Sequence, residues 1–184
     1  EYCVKYECAR YERVIFEPGD KTYHSCFNLW RGFDVKADSS GDCSLFLQHI
    51  REVIASGDEQ LHEYIISWMA NTVQEPDKKP GTSLVLTGRQ GTGKGIFVSQ
   101  FGKLFGSHYQ QLSDARHLTG HFNKHLQNKL LVFADEMVWK KTQQGKGVLK
   151  RIITEPEVTI EGKFQNAFHL RNHMRIIMAS NESW

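Results

Sequence analysis

The residues best suited to chemistry are a lysine, a pair of carboxylates and an asparagine, each placed where an apolar run ends. Lys94 closes the turn Gly88-Arg89-Gln90-Gly91-Thr92-Gly93-Lys94-Gly95, which follows the β-prone run 83–87. Gly88, Gly91, Gly93 and Gly95 free the backbone to curl, so that successive N–H groups converge on an anion. A helix opening at Lys94 adds partial positive charge. In this reading Lys94 reaches the β- and γ-phosphates of a nucleotide. The alternative is a flexible loop in an ordinary strand–helix unit. Phosphate-binding loops commonly carry Ser or Thr directly after the lysine, where its hydroxyl meets Mg²⁺. Here Gly95 leaves water, or Thr92 indirectly, to fill that role.

Asp135 and Glu136 follow the apolar run 130–134. A carboxylate leaving the carboxyl end of a buried parallel strand faces the crevice where ligands bind. Asp135 is expected to hold Mg²⁺, mostly through water, and Glu136 to polarise an attacking water. Asn181 ends a third apolar run, 174–180. Beside the other two motifs its amide would sense the γ-phosphate or the lytic water; alone it reads as a turn residue.

These three points need a parallel sheet with helices around it, and the periodicities supply the helices. Phe97, Phe101, Leu104 and Phe105 share one face of a helix that stops at Gly106. Upstream, Asp42 caps a helix with the stripe Phe46, Leu47, Ile50, Val53 and Ile54, ending at Gly57. Ser56-Gly57-Asp58-Glu59 then has capping-box form before the stripe Leu61, Ile65, Trp68, Met69, Thr72 and Val73. The pattern predicts a loop over 143–147, a helix containing Val148, Leu149, Ile152 and Ile153, and a hairpin from strands near 158–160 and 167–170. Lys163, His169 and Arg171 lie on or near that hairpin. The organisation expected is a leader over 1–40, a helical layer over 41–80 and a nucleotide-binding core over 81–184. In the leader, Trp30 and Phe33 read either as docking anchors or as core.

At 184 residues, 40% hydrophobic and 24% charged, the chain has the composition of a globular domain with a real core. It shows no apolar run of membrane-spanning length and no signal-peptide pattern, which predicts a cytoplasmic protein without membrane contact. The net charge of +2 says little about partners, but residues 137–180 hold eight Lys or Arg against three Glu. Such a segment is either a nucleic-acid footprint or a solvated face. Cys3, Cys8, Cys26 and Cys43 include no Cys-x-x-Cys pair. Reduced thiols are expected, with a zinc site at Cys3, Cys8, His24 and Cys26 as the alternative.

Taken in order, residues 88–95, residues 130–136, the basic hairpin and residues 176–181 resemble a superfamily 3 helicase. More narrowly, 27–32, 91–95 and 118–123 resemble the helicase part of phage and large-virus primase-helicases, over about residues 24–184. That resemblance implies an α/β P-loop ATPase of AAA+-like form with a small helical N-terminal layer. It also implies ATP and Mg²⁺ as cofactors, and a ring, usually a hexamer, around single-stranded DNA. The hairpin with Lys163, His169 and Arg171 would grip the strand backbone. Family members carry a further strand and an arginine finger after the sensor asparagine, so a fragment of a longer replication protein is expected. Two rivals remain: a P-loop kinase of a small acceptor, and a nucleotide-binding DNA-docking module with little turnover.

Overall fold

The structure is a computed structural model that describes residues 10–135 and 143–181. Its centre is a four-stranded parallel sheet in the order β3-β8-β5-β4. The strands are β3 (Leu84–Thr87), β4 (Tyr109–Leu112), β5 (Leu131–Ala134) and β8 (Arg175–Ser180). β5 is buried along its whole length and β8 along all but its last residue, because helices cover both faces. β3 alternates instead, with Leu84 and Leu86 inward and Val85 outward.

The two faces of the sheet seed two apolar clusters. On one, Leu131, Phe133, Ile177 and Ala179 meet α2 (Glu59–Gln74) through Ile65 and Trp68, and α3 (Lys94–Gly102) through Phe97 and Phe101. On the other, Val132, Ala134, Ile176 and Met178 meet α4 (Ala115–Thr119) through Leu118 and α5 (Gln143–Thr154) through Ile152. β6 (Glu157–Ile160) and β7 (Phe168–Arg171) form the expected antiparallel hairpin between α5 and β8.

The upstream residues pack on the first face. β1 (Arg13–Ile15) and β2 (Cys26–Asn28) form a short parallel pair, and Phe16 is buried in the main cluster with Leu29, Trp30 and Phe33 against it. Trp30 stacks on His108 at 4.6 Å between ring centres. His108 Nδ1 lies 2.7 Å from the Asn128 carbonyl, which can only accept, while Nε2 accepts from the Arg31 N–H at 3.0 Å. The ring is therefore the neutral Nδ1–H form, and burial lowers its pKa from the ordinary 6.5. The unfolded chain then takes up the proton first, so stability is expected to fall as pH drops below about 6.5 and to level off once the folded ring is protonated. Denaturant titrations at stepped pH, with the His108 imidazole followed by NMR, check this; a folded pKa at or above 6.5 would remove its basis.

Four local expectations are corrected. α1 spans only Ser44–His49, and the chain continues through a wide π turn over Ile50–Ile54, closed by Ala55 N–H to the Ile50 carbonyl. Across this stretch Leu47 and Val53 are exposed and Ile50 is buried, so the stripe is not one continuous buried face. Asp42 receives the Ser44 N–H, but the boundary residue of α1 is Cys43. Asp58, not Ser56, caps α2, accepting the Leu61 N–H at 3.0 Å, and Leu61 itself is exposed. Ser56 turns with φ of 53°. Finally, residues 143–147 belong to α5 and not to a loop. Cys3 and Cys8 lie outside the described residues. Among those described, no group of three or more metal-ligating side chains occurs.

Candidate functional site

The parallel direction of β3, β5 and β8 brings their carboxyl ends to one edge of the sheet. β8 lies between the other two, with Thr87 paired to Ser180 and Ala134 to Met178. Gly88 continues from β3 and donates its N–H to the Ser180 carbonyl at 3.2 Å. The loop then turns back on itself, held by Thr92 Oγ1 to the Arg89 carbonyl at 2.8 Å, and Gly91 and Gly93 adopt φ of 81° and 85°. A left-handed Gly93 sets the direction in which α3 leaves.

Lys94 opens α3 and is only 9% exposed, with its amine folded into the loop. It donates to the carbonyls of Gly88 at 2.6 Å and Arg89 at 2.9 Å, and to Asn181 Oδ1 at 3.2 Å; Thr92 Oγ1 lies 3.4 Å away. The structure thus brings together Lys94 and Asn181, which are far apart in sequence. Gly91, Thr92, Gly93, Lys94, Gly95, Asp135 and Asn181 line one cleft of about 400 Å³, with Gly88 at its back through the carbonyl bonded to Lys94. A Cβ on Gly95 would meet nothing within 4 Å, so a side chain there would begin in open space. Asp135 is anchored by its N–H to the Leu112 carbonyl at 2.9 Å, and Gln111 Nε2 donates to its Oδ2 at 2.8 Å. Glu136 lies outside the described residues, as do Lys140 and Lys141.

This cleft can receive an anion at the start of α3, with the Lys94 ammonium and the Asp135 carboxylate both in its lining. One carboxylate, together with phosphate oxygens and water, is a donor set that suits Mg²⁺. A larger cleft, about 580 Å³, lies between α4, α5 and β6 and is walled by Arg151, Glu155, Glu157 and Glu161 among others. It shares no lining residue with the first.

The three hairpin residues expected to meet nucleic acid do not act alike. Lys163, in the loop between β6 and β7, lies 5.1 Å above the ring of Phe164. His169 pairs across the ladder with Thr159, whose Oγ1 is 3.3 Å from its Nδ1. Arg171 reaches back to Glu17 at 3.4 Å, so its charge is partly answered within the chain. None of the three lines the cleft.

Sequence reasoning missed Phe164, which is 94% exposed at a φ of 61°. Its signal was an aromatic beside a lysine in a turn. Asn123, within the stretch 118–123, carried no assigned role in the sequence, yet its side chain brackets the base of the hairpin: Nδ2 donates to the Thr159 carbonyl at 2.8 Å and Oδ1 accepts the Glu161 N–H at 2.8 Å. Lys124, next along, donates to Gln165 Oε1 in the hairpin loop, and Phe122 is exposed.

Residues 86–183 match DUF5906, described as a family of unknown function. The chain belongs to this family. The chain is 31% identical over 121 residues to the DNA primase-polymerase of Nitratiruptor phage NrS-1, an alignment covering 64% of this chain and 17% of the phage protein. Its fold matches the apo structure of the NrS-1 C-terminal region with a TM-score of 0.79 at 25% identity, over 92% of this chain and 42% of that one. A second structure of the same region gives 0.79 at 24% identity, over 93% and 42%. The chain therefore spans less than half of the relatives it matches. Among the described residues, no helix of this DUF5906 chain is long and apolar enough to cross a membrane.

Proposed function

We propose that this chain is the nucleotide-binding core of a phage-type DNA-replication ATPase, a P-loop motor of superfamily 3 helicase kind that moves on single-stranded DNA. One observation carries the reading: the Lys94 amine, held in a glycine loop and bonded to Asn181, shares a cleft with Asp135 at the ends of three parallel strands. ATP phosphates would sit against the loop N–H groups and the start of α3, and Lys94 would exchange its carbonyl partners for β- and γ-oxygens. Asp135 is the residue to hold Mg²⁺, whose charge would offset that of the phosphates. Glu136 would orient water towards the γ-phosphorus, and Asn181 would report the phosphate's presence along β8.

The DNA side of the proposal rests on the hairpin. Lys163 supplies a phosphate contact, the exposed Phe164 a stacking face, and His169 a further donor. In the same reading, residues 1–40 lead in, 41–80 form a helical layer, 81–184 form the ATPase core, and the protein works in the cytoplasm as a ring of copies. Gly95 favours a second reading, a nucleotide-binding module with little turnover, because no hydroxyl follows the lysine.

Steady-state ATPase rates with and without an oligothymidylate separate these. Stimulation that disappears in Lys163→Ala and Phe164→Ala while the basal rate persists is the expected result. ATP binding with no turnover in either condition would favour the module; turnover indifferent to DNA would remove the motor.

A further inference from the structure

α1 is short, yet it presents two ring side chains three residues apart, Phe46 and His49, which fall on one helical face. Both rest on the start of α3. Phe46 stacks on Phe97 at 6.0 Å and 22°, and His49 lies against Gly93. The contact is close because Gly93 has no side chain: a Cβ there would come within 2.9 Å of His49 Nε2. The φ of 85° alone would already favour glycine, so two separate constraints select it. His49 Nε2 lies 3.2 Å from the Gly93 carbonyl, which also receives the Phe97 N–H at 3.1 Å. A carbonyl only accepts, so Nε2 carries the proton.

The Gly93 carbonyl and the Lys94 N–H belong to one planar trans peptide and point in opposite directions. Fixing the carbonyl fixes the N–H. That N–H belongs to the first turn of α3, where no intrahelical partner is available and an anion is the natural acceptor. Immediately after His49 the chain enters the π turn, anchored by the fully buried Ile50. Such widened turns concentrate at functional positions.

We propose that His49 is a positioning residue for the anion-binding loop: by donating to the Gly93 carbonyl it orients the Lys94 N–H, and so ties nucleotide affinity to the helical layer. The inference rests on the reading that this loop binds nucleotide phosphates.

Calorimetric titration with MgATP of the wild type, His49→Ala, His49→Gln and Lys94→Ala tests it, with thermal melting of each and NMR of the His49 imidazole. His49→Ala is expected to weaken MgATP about five- to tenfold, the worth of one hydrogen bond. His49→Gln, whose amide Nε2 reaches the same carbonyl, should recover to within about threefold of wild type. The His49 imidazole signals should shift when MgATP saturates the protein. Unchanged affinity in His49→Ala while Lys94→Ala loses binding would overturn this role and leave the nucleotide reading intact. A loss in both His49 variants that follows their melting temperatures would overturn it too, as mere packing. A wild-type protein that binds no MgATP would overturn both.

Discussion

Lys94→Ala is expected to weaken ATP binding by about a hundredfold or more and to abolish turnover, a loss of roughly 3 kcal/mol of electrostatic stabilisation. The amine is already inside the loop, on the carbonyls of Gly88 and Arg89 and on Asn181. It needs only to change partners when phosphates arrive. Little ordering cost is then left, and the full charge acts on the polyphosphate at short range and low exposure. Lys94→Arg should fail nearly as badly, because a planar guanidinium cannot fit the space that a compact ammonium shares with three oxygen partners. Two measurements check this. Calorimetry gives the affinity, and the upward shift in melting temperature expected of the wild type with ATP should vanish in the variant. An alanine variant that keeps its affinity would mean that the loop does not hold phosphates.

The outline of the candidate site was legible because each of its parts is local in sequence. A glycine loop after an apolar run, and carboxylates or an amide after two others, require only that the three strands run parallel and end together. Two leucines, a valine and a phenylalanine without polar interruption at 130–133 could hardly be anything but a central strand, and β5 is buried throughout. What was not legible came from packing. The helical start of α5 runs through Gly145 and Gly147, poor helix formers, and is built as helix nonetheless. The π turn after His49 has no periodic signature, since its extra residue breaks the spacing that a stripe relies on. Charge counting misled in a different way. Arg171 and Arg175 entered the basic tally over 137–180 as equals, yet one is exposed beside Glu17 and the other is 1% exposed. Nothing in the residue type distinguishes a phosphate contact from a structural cation.

Arg175→Met is expected to cost about 3 kcal/mol or more of folding stability while leaving ATP affinity in the folded protein unchanged. Arg175 begins β8, at the opposite end of the strand from Asn181. Its guanidinium enters the place where α2 ends and, among the described residues, makes no ion pair there; its partners are four backbone carbonyls and, at 3.5 Å, Asn71 Oδ1. Nη1 donates to Pro76 at 3.0 Å and His173 at 3.1 Å, and Nη2 to Glu75 at 2.8 Å and Lys78 at 2.6 Å. The carbonyls of Glu75, Pro76 and Lys78 lie at and beyond the negative end of the α2 dipole, so a cation suits the position. Burial lowers its pKa to about 10, which still leaves it charged at neutral pH. Methionine would fill much of the volume but leave several buried acceptors without a donor, at about 1–3 kcal/mol each. Lysine offers one ammonium where four carbonyls are spread around a plane, so Arg175→Lys should recover only part of the loss. The neighbouring helix end shows the same arrangement: Asn172 Nδ2 donates to the carbonyls of Ile152 at 2.8 Å and Glu155 at 3.0 Å, where α5 stops. Two helix ends are thus closed by side chains from the few residues that lead into β8. Denaturant unfolding measures the cost, and calorimetry on the folded variant measures what is spared. A loss below about 1 kcal/mol would show that water replaces the guanidinium, whereas a loss of ATP affinity matching the loss of stability would show that the two ends of β8 are coupled.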